Sequence, residues 1–247
     1  MSAGLVDIHC HIVPGIDDGA STWEESAAML HEAASASKGG LTLVATPHVS
    51  MAGDGSARRE KRFSEFAAFA REEAPGIRIG FGAEVLLDAS PGRGRASRMP
   101  TYPGSGWVLA ELPAGMSWAG ALFRLWTLSR SVPRIVLAHP ERYRWCSLRP
   151  GRLAVLARLG ILGQVSGRSF EMGGPAARDT ALGLLEDGLC SFLASDCHGP
   201  GGMTLGALED PVAGRIGRER WEALTRMNPS AVLSNRDLPE EYGRFAR

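Results

Sequence analysis

The chain has 247 residues, a length that suits one α/β barrel or two small domains. Its 27 basic and 27 acidic residues give a formal net charge of zero, which argues against a general nucleic-acid-binding protein. No apolar run approaches the roughly 18 residues of a membrane span, and the first residues lack the features of a signal peptide. The four cysteines form no CxxC pair, so we expect reduced thiols, a cytoplasmic location and no membrane insertion.

Short apolar runs alternate with helical patterns along the whole chain. Apolar residues at three-to-four-residue spacing predict helices at 22–36, 62–73, 118–129, 153–159, 179–187 and around 218–227. Apolar runs predict strands at 5–8, 41–45, 77–83, 107–110, 134–138, 161–165 and 191–194. Segments 49–60 and 88–105 are predicted to be polar, glycine-bearing loops. This alternation is typical of parallel βα units.

A polar side chain follows each predicted strand, at intervals of 27 to 37 residues from His11 onward. In a parallel barrel all strand carboxyl ends open on one face, which is where active sites form. A doubly wound sheet would instead spread these side chains along an edge. We therefore favour a barrel in which residues distant in sequence converge at one rim. The candidate residues are His9, His11, Asp18, His48, Glu84, Glu111, His139, Asp196 and His198.

These five imidazoles and four carboxylates exceed what one metal ion needs. Singly, each has a structural alternative: His48 could end a strand, Glu84 could begin a helix, and Asp196 and His198 could cap a loop. Their joint placement favours two or three Mn, Fe or Zn ions. Three divalent ions, four carboxylates and a bridging hydroxide leave about one positive charge, which suits a phosphate dianion better than a neutral substrate.

Six motifs occur in order across residues 7–198: DIHCHIVPGIDDG, TPH, GAE, ELP, AHPERY and ASDCH. Together they resemble the polymerase-and-histidinol-phosphatase (PHP) superfamily, and within it the manganese-dependent protein-tyrosine phosphatases of bacterial capsule and exopolysaccharide operons. The resemblance implies a single domain over 1–247 with a distorted seven-stranded TIM-like (βα)7 barrel, the PHP fold. It also implies a ligand set for each of three ions: His9, His11, Glu84 and Asp196; Glu84, Glu111 and His139; Asp18, His48 and His198.

The resemblance further implies the activity. Arg142 matches the phosphate-binding arginine of the family, and its planar guanidinium suits that task better than an ion pair with Glu141. Metal-activated hydroxide would attack phosphorus in line, and a metal ion, Asp18 or His198 would assist the leaving phenolate. The implied substrate is phosphotyrosine in a protein, such as a tyrosine kinase of an exopolysaccharide system. The oligomeric state is left open.

The sequence departs from the family pattern in two loops. Family members usually carry a second phosphate-binding arginine after the last motif, where this chain has Met203 and no arginine before Arg215. Arg168, in QVSGRSF, could replace that charge. Arginines of the 88–105 loop could shape substrate choice; they are Arg93, Arg95 and Arg98.

Three rival functions are weighed against this one. Cys146 and Arg152 have the Cx5R spacing of a cysteine phosphatase, but the segment lacks a glycine-rich anion nest. Another PHP phosphomonoesterase, acting on histidinol phosphate or a nucleotide, would use nearly the same metal site. A non-catalytic metal-binding scaffold would retain the ligands and lack turnover.

Overall fold

A computed structural model describes residues 4–52, 56–90, 93–96, 98–172 and 174–238. The strands are β1 (Leu5–Cys10), β2 (Leu41–Ala45), β3 (His48–Ser50), β4 (Ile77–Phe81), β5 (Glu84–Leu86), β6 (Trp107–Glu111), β7 (Arg134–Ala138), β8 (Ile161–Ser166) and β9 (Phe192–Ala194). The helices are α1 (Trp23–Ala36), α2 (Ser56–Glu73), α3 (Arg93–Ala96), α4 (Trp118–Ser129), α5 (Arg144–Leu148), α6 (Arg152–Ala157), α7 (Gly174–Glu186), α8 (Glu209–Ile216), α9 (Arg218–Glu222) and α10 (Asn228–Leu233). Among these residues, no helix combines the length and apolar character that crossing a membrane requires.

The strands form two parallel sheets, in the orders β1-β2-β4 and β3-β5-β6-β7-β8-β9. An isolated parallel bridge between Cys10 and Cys197 joins the end of β1 to the segment after β9. The His11 N–H donates to the Cys197 carbonyl there at 2.9 Å. The protein is therefore an α/β fold in which the first and last strand regions are neighbours.

Two of the seven predicted strands are each followed by a short additional strand, β3 or β5, so the described residues contain nine strand segments. Pro47 has no N–H and separates β2 from β3, while Gly82 and Ala83 separate β4 from β5. After these breaks, His48 and Glu84 lie side by side as register partners of β3 and β5. Glu84 therefore begins a strand, whereas the sequence placed it just after one.

Other element bounds differ from the sequence-based expectation. The prediction that all of segment 49–60 is a loop is wrong, because β3 reaches Ser50 and α2 already begins at Ser56. The 88–105 loop contains the short helix α3. The helix predicted at 153–159 is α6, preceded by the unexpected α5. The helix predicted around 218–227 is α9 followed by a π-helical turn over Ala223–Met227.

Strand β1, which leads into the site, has buried side chains on both of its faces. Every residue of β1 is buried, and Val6 and Ile8 belong to an inner apolar cluster with strand residues such as Val136 and Phe192. Cys10 packs instead into the outer cluster between strands and helices. The pairing of β1 with β2 shifts register between Asp7 and Cys10. Such an irregularity turns the following side chains to the other face of the strand. Here it directs His9 and His11 toward the inside of the fold.

Candidate metal centre

Four predicted ligands meet at the carboxyl end of β1. His9 Nε2 lies 3.1 Å from His11 Nε2, 3.2 Å from Glu84 Oε2 and 3.3 Å from Asp196 Oδ1. His11 Nε2 lies 3.3 and 3.5 Å from the same two carboxylate oxygens. Ligand atoms about 2.0–2.2 Å from a tetrahedral cation are about 3.3–3.5 Å apart. The separation and the N₂O₂ donor set therefore fit one divalent ion.

Hydrogen bonds orient both imidazoles of this group. The Gln164 amide donates from Nε2 to the Val165 carbonyl at 2.7 Å, so its oxygen faces His9 Nδ1 at 2.8 Å. His11 Nδ1 lies 2.7 Å from Asp17 Oδ2. Both acceptors place the proton on Nδ1 and leave Nε2 to the cluster, as metal-binding histidines require.

A second group surrounds Glu84, whose two oxygens face different neighbours. Glu84 Oε1 accepts from His139 Nε2 at 2.9 Å, while Oε2 lies 3.1 Å from His48 Nδ1. Glu111 lies 3.7 Å from each of these imidazoles, through Oε1 to His139 and Oε2 to His48. Glu84 thus stands between this group and the first one, in the position of a bridging carboxylate.

The third group lies at the more exposed side of the cluster. His48 Nε2 is 3.3 Å and His198 Nε2 is 3.4 Å from Asp18 Oδ1. The ring of His11 stacks on that of His198 with centroids 3.9 Å apart. The Asp18 side chain is 62% exposed, the largest value among the paired predicted ligands. The structure thus brings all nine predicted ligands into one cluster.

Two residues of the cluster have left-handed backbones. His139 has φ 34° and directly follows β7. Asp196 has φ 53° and lies two residues beyond the end of β9. This conformation is costly for residues other than glycine and concentrates at functional sites. Strain at these two positions indicates that the direction of their side chains is under constraint.

The charges of the cluster are strongly coupled. Burial alone would lower the pKa of His9, but Glu84 and Asp196 outweigh burial and raise it to about 9. Burial opposes charge on Glu84 as well, yet the surrounding imidazoles hold its pKa well below the usual range. Burial and the neighbouring His11 lower the pKa of His198 to about 4. Protons on the buried imidazoles therefore occupy the place that divalent cations would take.

Arg142 lies beside the first group. Its Nη2 donates to Asp196 Oδ2 at 2.6 Å and to Ser166 Oγ at 3.0 Å. Glu141 is turned away and buried, where it accepts from the Ser166 N–H at 2.8 Å and from Ser169 Oγ at 2.7 Å. The Arg142 side chain is one-third exposed. Its guanidinium therefore borders both the metal cluster and solvent.

The remaining arginine candidates differ in their burial and in the groups that they contact. Arg168 is half-buried and adds positive charge near His198, whose pKa it helps to lower. Arg98 is exposed and donates to the Gly94 carbonyl at 2.9 Å. The side chains of Arg93 and Arg95 lie outside the described residues.

The Cx5R segment does not form a thiolate site. Cys146 is buried, and burial together with Glu141 raises its pKa to about 12. Arg152 donates to the Trp145 carbonyl at 3.2 Å and stacks over the Trp118 ring. A nucleophilic cysteine needs a lowered pKa and an accessible sulfur. The cysteine-phosphatase alternative is therefore rejected on the geometry.

Sequence reasoning missed the polar residues that support the ligands. Asp17, Gln164 and Ser166 each hydrogen-bond to a proposed ligand, and Glu141 holds Ser166. Gln164 and Ser166 lie two residues apart in the apolar run ILGQVS, so they share one face of β8. Polar residues at this spacing within a buried strand were the available signal.

Comparison with known proteins gives a consistent result. The family described as "Capsular polysaccharide synthesis, CpsB/CapC" matches residues 5–234. Tyrosine-protein phosphatase YwqE of Bacillus subtilis is 31% identical over 201 residues, covering 78% of this chain and 77% of YwqE. Tyrosine-protein phosphatase CpsB of Streptococcus pneumoniae is 27% identical over 243 residues, covering 93% of this chain and 98% of CpsB.

Solved structures agree with these relatives. A structure from work on YwqE and CpsB, described as unique metal-dependent tyrosine phosphatases, has a TM-score of 0.80 at 25% identity and covers 95% of this chain and 96% of that one. A dihydropyrimidinase from Brevibacillus agri has a TM-score of 0.56 at 10% identity, covering 94% of this chain and 70% of the enzyme. The second similarity concerns the fold alone.

Proposed function

The chain belongs to the CpsB/CapC family of capsular polysaccharide synthesis, and from this membership we propose that it is a metal-dependent tyrosine-protein phosphatase. The observation that carries the proposal is the convergence of nine imidazole and carboxylate side chains on one rim of the fold, next to Arg142. Relatives named tyrosine-protein phosphatases cover most of the chain, which supports the same activity here.

We propose three divalent ions, with manganese as the physiological metal. The first would be held by His9, His11, Glu84 and Asp196, whose separations fit one ion. When bound, the metals would lower the pKa of water and so supply hydroxide at neutral pH. The carboxylate-rich donor set is compatible with manganese and with iron or zinc. The other two ligand sets are Glu84, Glu111 and His139; Asp18, His48 and His198.

His48 has one nitrogen for each of two neighbours. Its Nδ1 faces Glu84 and Glu111, and its Nε2 faces Asp18. We assign Nε2 to the third ion, with Nδ1 held by the carboxylates of the second group. With this assignment, each nitrogen of His48 faces one ligand group, so no nitrogen is shared between two ions. The proposed second and third ligand sets are both kept.

Arg142 would bind the phosphoryl group. Its guanidinium is already charged and directed at the first group by Asp196 and Ser166. The planar guanidinium of Arg142 would provide fixed donors for the equatorial oxygens as charge develops on them. Its position beside the cluster, with one-third of the side chain exposed, suits a substrate that arrives from solvent.

Asp18 and His198 differ in what they can contribute to departure of the phenolate. The lowered pKa of His198 leaves its ring neutral near pH 7, so it is a better ligand than proton donor. Asp18 is the more exposed of the two. We propose that His198 serves as a ligand, and that Asp18 occupies the mouth of the site near the leaving oxygen.

Several wider features belong to the same proposal. Bridging at Cys10–Cys197 and the interrupted β2/β3 and β4/β5 pairs support a distorted seven-stranded barrel of PHP type. We propose one domain over 1–247. Four free cysteines support a reducing, cytoplasmic setting. The proposed partner is a phosphotyrosine-bearing protein, such as a tyrosine kinase of capsule or exopolysaccharide synthesis, with no nucleic acid.

The proposal is tested with a manganese-supplemented assay on an aryl phosphate and a phosphotyrosyl peptide. Arg142→Ala should lose activity by roughly 100-fold or more, since removing one transition-state donor costs that much in other enzymes. His9→Ala should lose at least as much, because it removes a proposed ligand of the ion that would supply hydroxide. Arg215→Ala is the matched control, because Arg215 pairs with Glu186 on the surface. Equal activity in all four proteins would refute the site assignment.

The same assay separates the alternatives. Removal of metal by EDTA should abolish activity and manganese, iron or zinc added singly should restore it to different extents. Faster turnover of histidinol phosphate or a nucleotide than of the phosphotyrosyl peptide would indicate another phosphomonoesterase. Bound metal without turnover of any phosphoester would indicate a scaffold.

A further inference from the structure

Asp17 occupies a position that neither the ligand assignment nor Arg142 explains. It directly precedes the proposed ligand Asp18, but its side chain is only 4% exposed and points the other way. Asp17 Oδ2 lies 2.7 Å from His11 Nδ1 and accepts from the His48 backbone N–H at 2.9 Å. Its Oδ1 accepts from the Gly19 N–H at 3.0 Å. One carboxylate thus ties the first loop to two ligand-bearing segments.

The local backbone is shaped to bring Asp17 there. The chain after β1 folds back on itself, with the Ala20 N–H donating to the His11 carbonyl at 3.0 Å. A Cβ on Gly19 would lie 2.0 Å from that carbonyl oxygen, so only glycine permits the approach. The turn therefore holds the Asp17 carboxylate at the Nδ1 edge of the His11 ring.

The two histidines of the HxH motif have partners of different charge. His9 is held by the neutral amide of Gln164, whereas His11 is held by a carboxylate. A carboxylate partner makes an imidazole a stronger donor to a metal and fixes its ring. His11 also lies between two ligand groups, since its ring belongs to the first group and stacks on His198 of the third.

From this arrangement, we propose that Asp17 is a positioning residue that sets His11 and the start of β3 at a fixed separation, so that the first and third metal sites assemble together. The inference rests on the metal-dependent function proposed above. Asp17 would contact neither metal nor substrate. Its contribution would be to the affinity of the protein for metal, and the metal-free chain would still fold without the charge of Asp17.

The test compares Asp17→Asn with wild type by chelator competition and by metal content per chain. Asparagine keeps the shape and one acceptor oxygen but removes the charge. We expect metal affinity to fall roughly 10- to 100-fold, the usual effect of losing such a partner. The metal-free variant should keep the wild-type circular dichroism spectrum. The kcat of Asp17→Asn should lie closer to the wild-type value at saturating manganese than at low manganese.

Asp88→Asn is the matched control, because Asp88 accepts from Ser50 Oγ at the end of β3 and from the Ala52 N–H just beyond it, and not from the imidazoles of the cluster. This variant should bind metal as wild type does. Unchanged metal affinity in Asp17→Asn would overturn the inference while leaving the proposed function intact, as would a metal-free Asp17→Asn protein that is unfolded, since that outcome assigns Asp17 to the fold. Absence of metal binding by wild type would overturn both.

Discussion

Raising the pH should destabilise the metal-free protein. Burial favours neutral His9, but Glu84 and Asp196 more than compensate and raise its pKa from 6.5 to about 9. The proton is therefore bound more tightly in the folded chain. Its stabilising effect is complete below the unfolded pKa of 6.5 and is lost as the pH rises through the folded pKa of about 9. The two values differ by the equivalent of about 3 kcal/mol.

Neighbouring groups do not reverse this sign. The pKa of His11 is also raised well above its ordinary value, because the hydrogen bonds that its ring donates to Asp17, Asp196 and Glu84 outweigh burial. The pKa values of Glu84 and Asp196 are held well below their usual range, so both carboxylates are ionised throughout this window. The slope between about pH 6 and 10 therefore comes from the imidazoles and from the buried thiols, whose raised pKa values give it the same sign; these are Cys10, Cys146, Cys190 and Cys197. His198, whose pKa is lowered to about 4, opposes the fall only near pH 6.

Urea unfolding in EDTA, followed by the fluorescence of the six tryptophans, measures the effect. The free energy of unfolding should fall by about 3 kcal/mol or more between pH 6 and pH 10, a large part of a typical domain's stability. In the manganese-loaded protein the part of this fall that comes from the imidazoles should be absent, because the metal would replace their protons, and only the contribution of the buried thiols should remain. His9→Gln should reduce the slope in EDTA. A metal-free stability that is constant or rises over this range would refute the coupling of His9 to the two carboxylates.

Three further predictions concern single residues. Glu84→Gln should lower both metal content and kcat by roughly 100-fold, measured by elemental analysis and aryl phosphate turnover, because it removes a charge that faces four imidazoles. Wild-type metal content in this variant would contradict the prediction. Cys146→Ser should leave kcat within about twofold, since a buried thiol with a pKa of about 12 stays protonated; loss of turnover with the fold intact would revive the thiolate mechanism. Thr22→Ala should cost about 1 kcal/mol in urea unfolding without changing kcat, because Thr22 caps α1 by accepting from the Glu25 N–H; an unchanged midpoint would rule out a stabilising cap.

Local sequence signals were sufficient for several of the regular elements. The strands predicted at 41–45 and 134–138 and the helix at 118–129 have the predicted bounds. In the helix, Ser117 supplies an N-cap and the buried residues recur at helical spacing. The candidate ligands were also foreseeable, because parallel strands bring their carboxyl ends together whatever the details of pairing.

The features that were missed depend on contacts between distant segments. A three-residue strand such as β3 has no periodicity of its own and exists because it pairs with β5. The roles of Asp17 and Asp18 cannot be distinguished from two adjacent identical letters, since the direction of each side chain is set by the turn at Gly19. Gln164 is read as an interruption of an apolar run until β8 and β1 are placed together.

The backbone β-bridge between Cys10 and Cys197, which is not a disulfide, has a consequence for the biosynthesis of the protein. Ribosomes add about 5–20 residues per second, so the HxH motif waits roughly ten seconds or more for Asp196 to emerge. During that interval a nascent chain holds half of the first ligand set and cannot select an ion with it. Under the proposed ligand assignment, the first ion would therefore be acquired only after Asp196 has emerged, and its identity would reflect the free metal pool that the nearly finished chain meets.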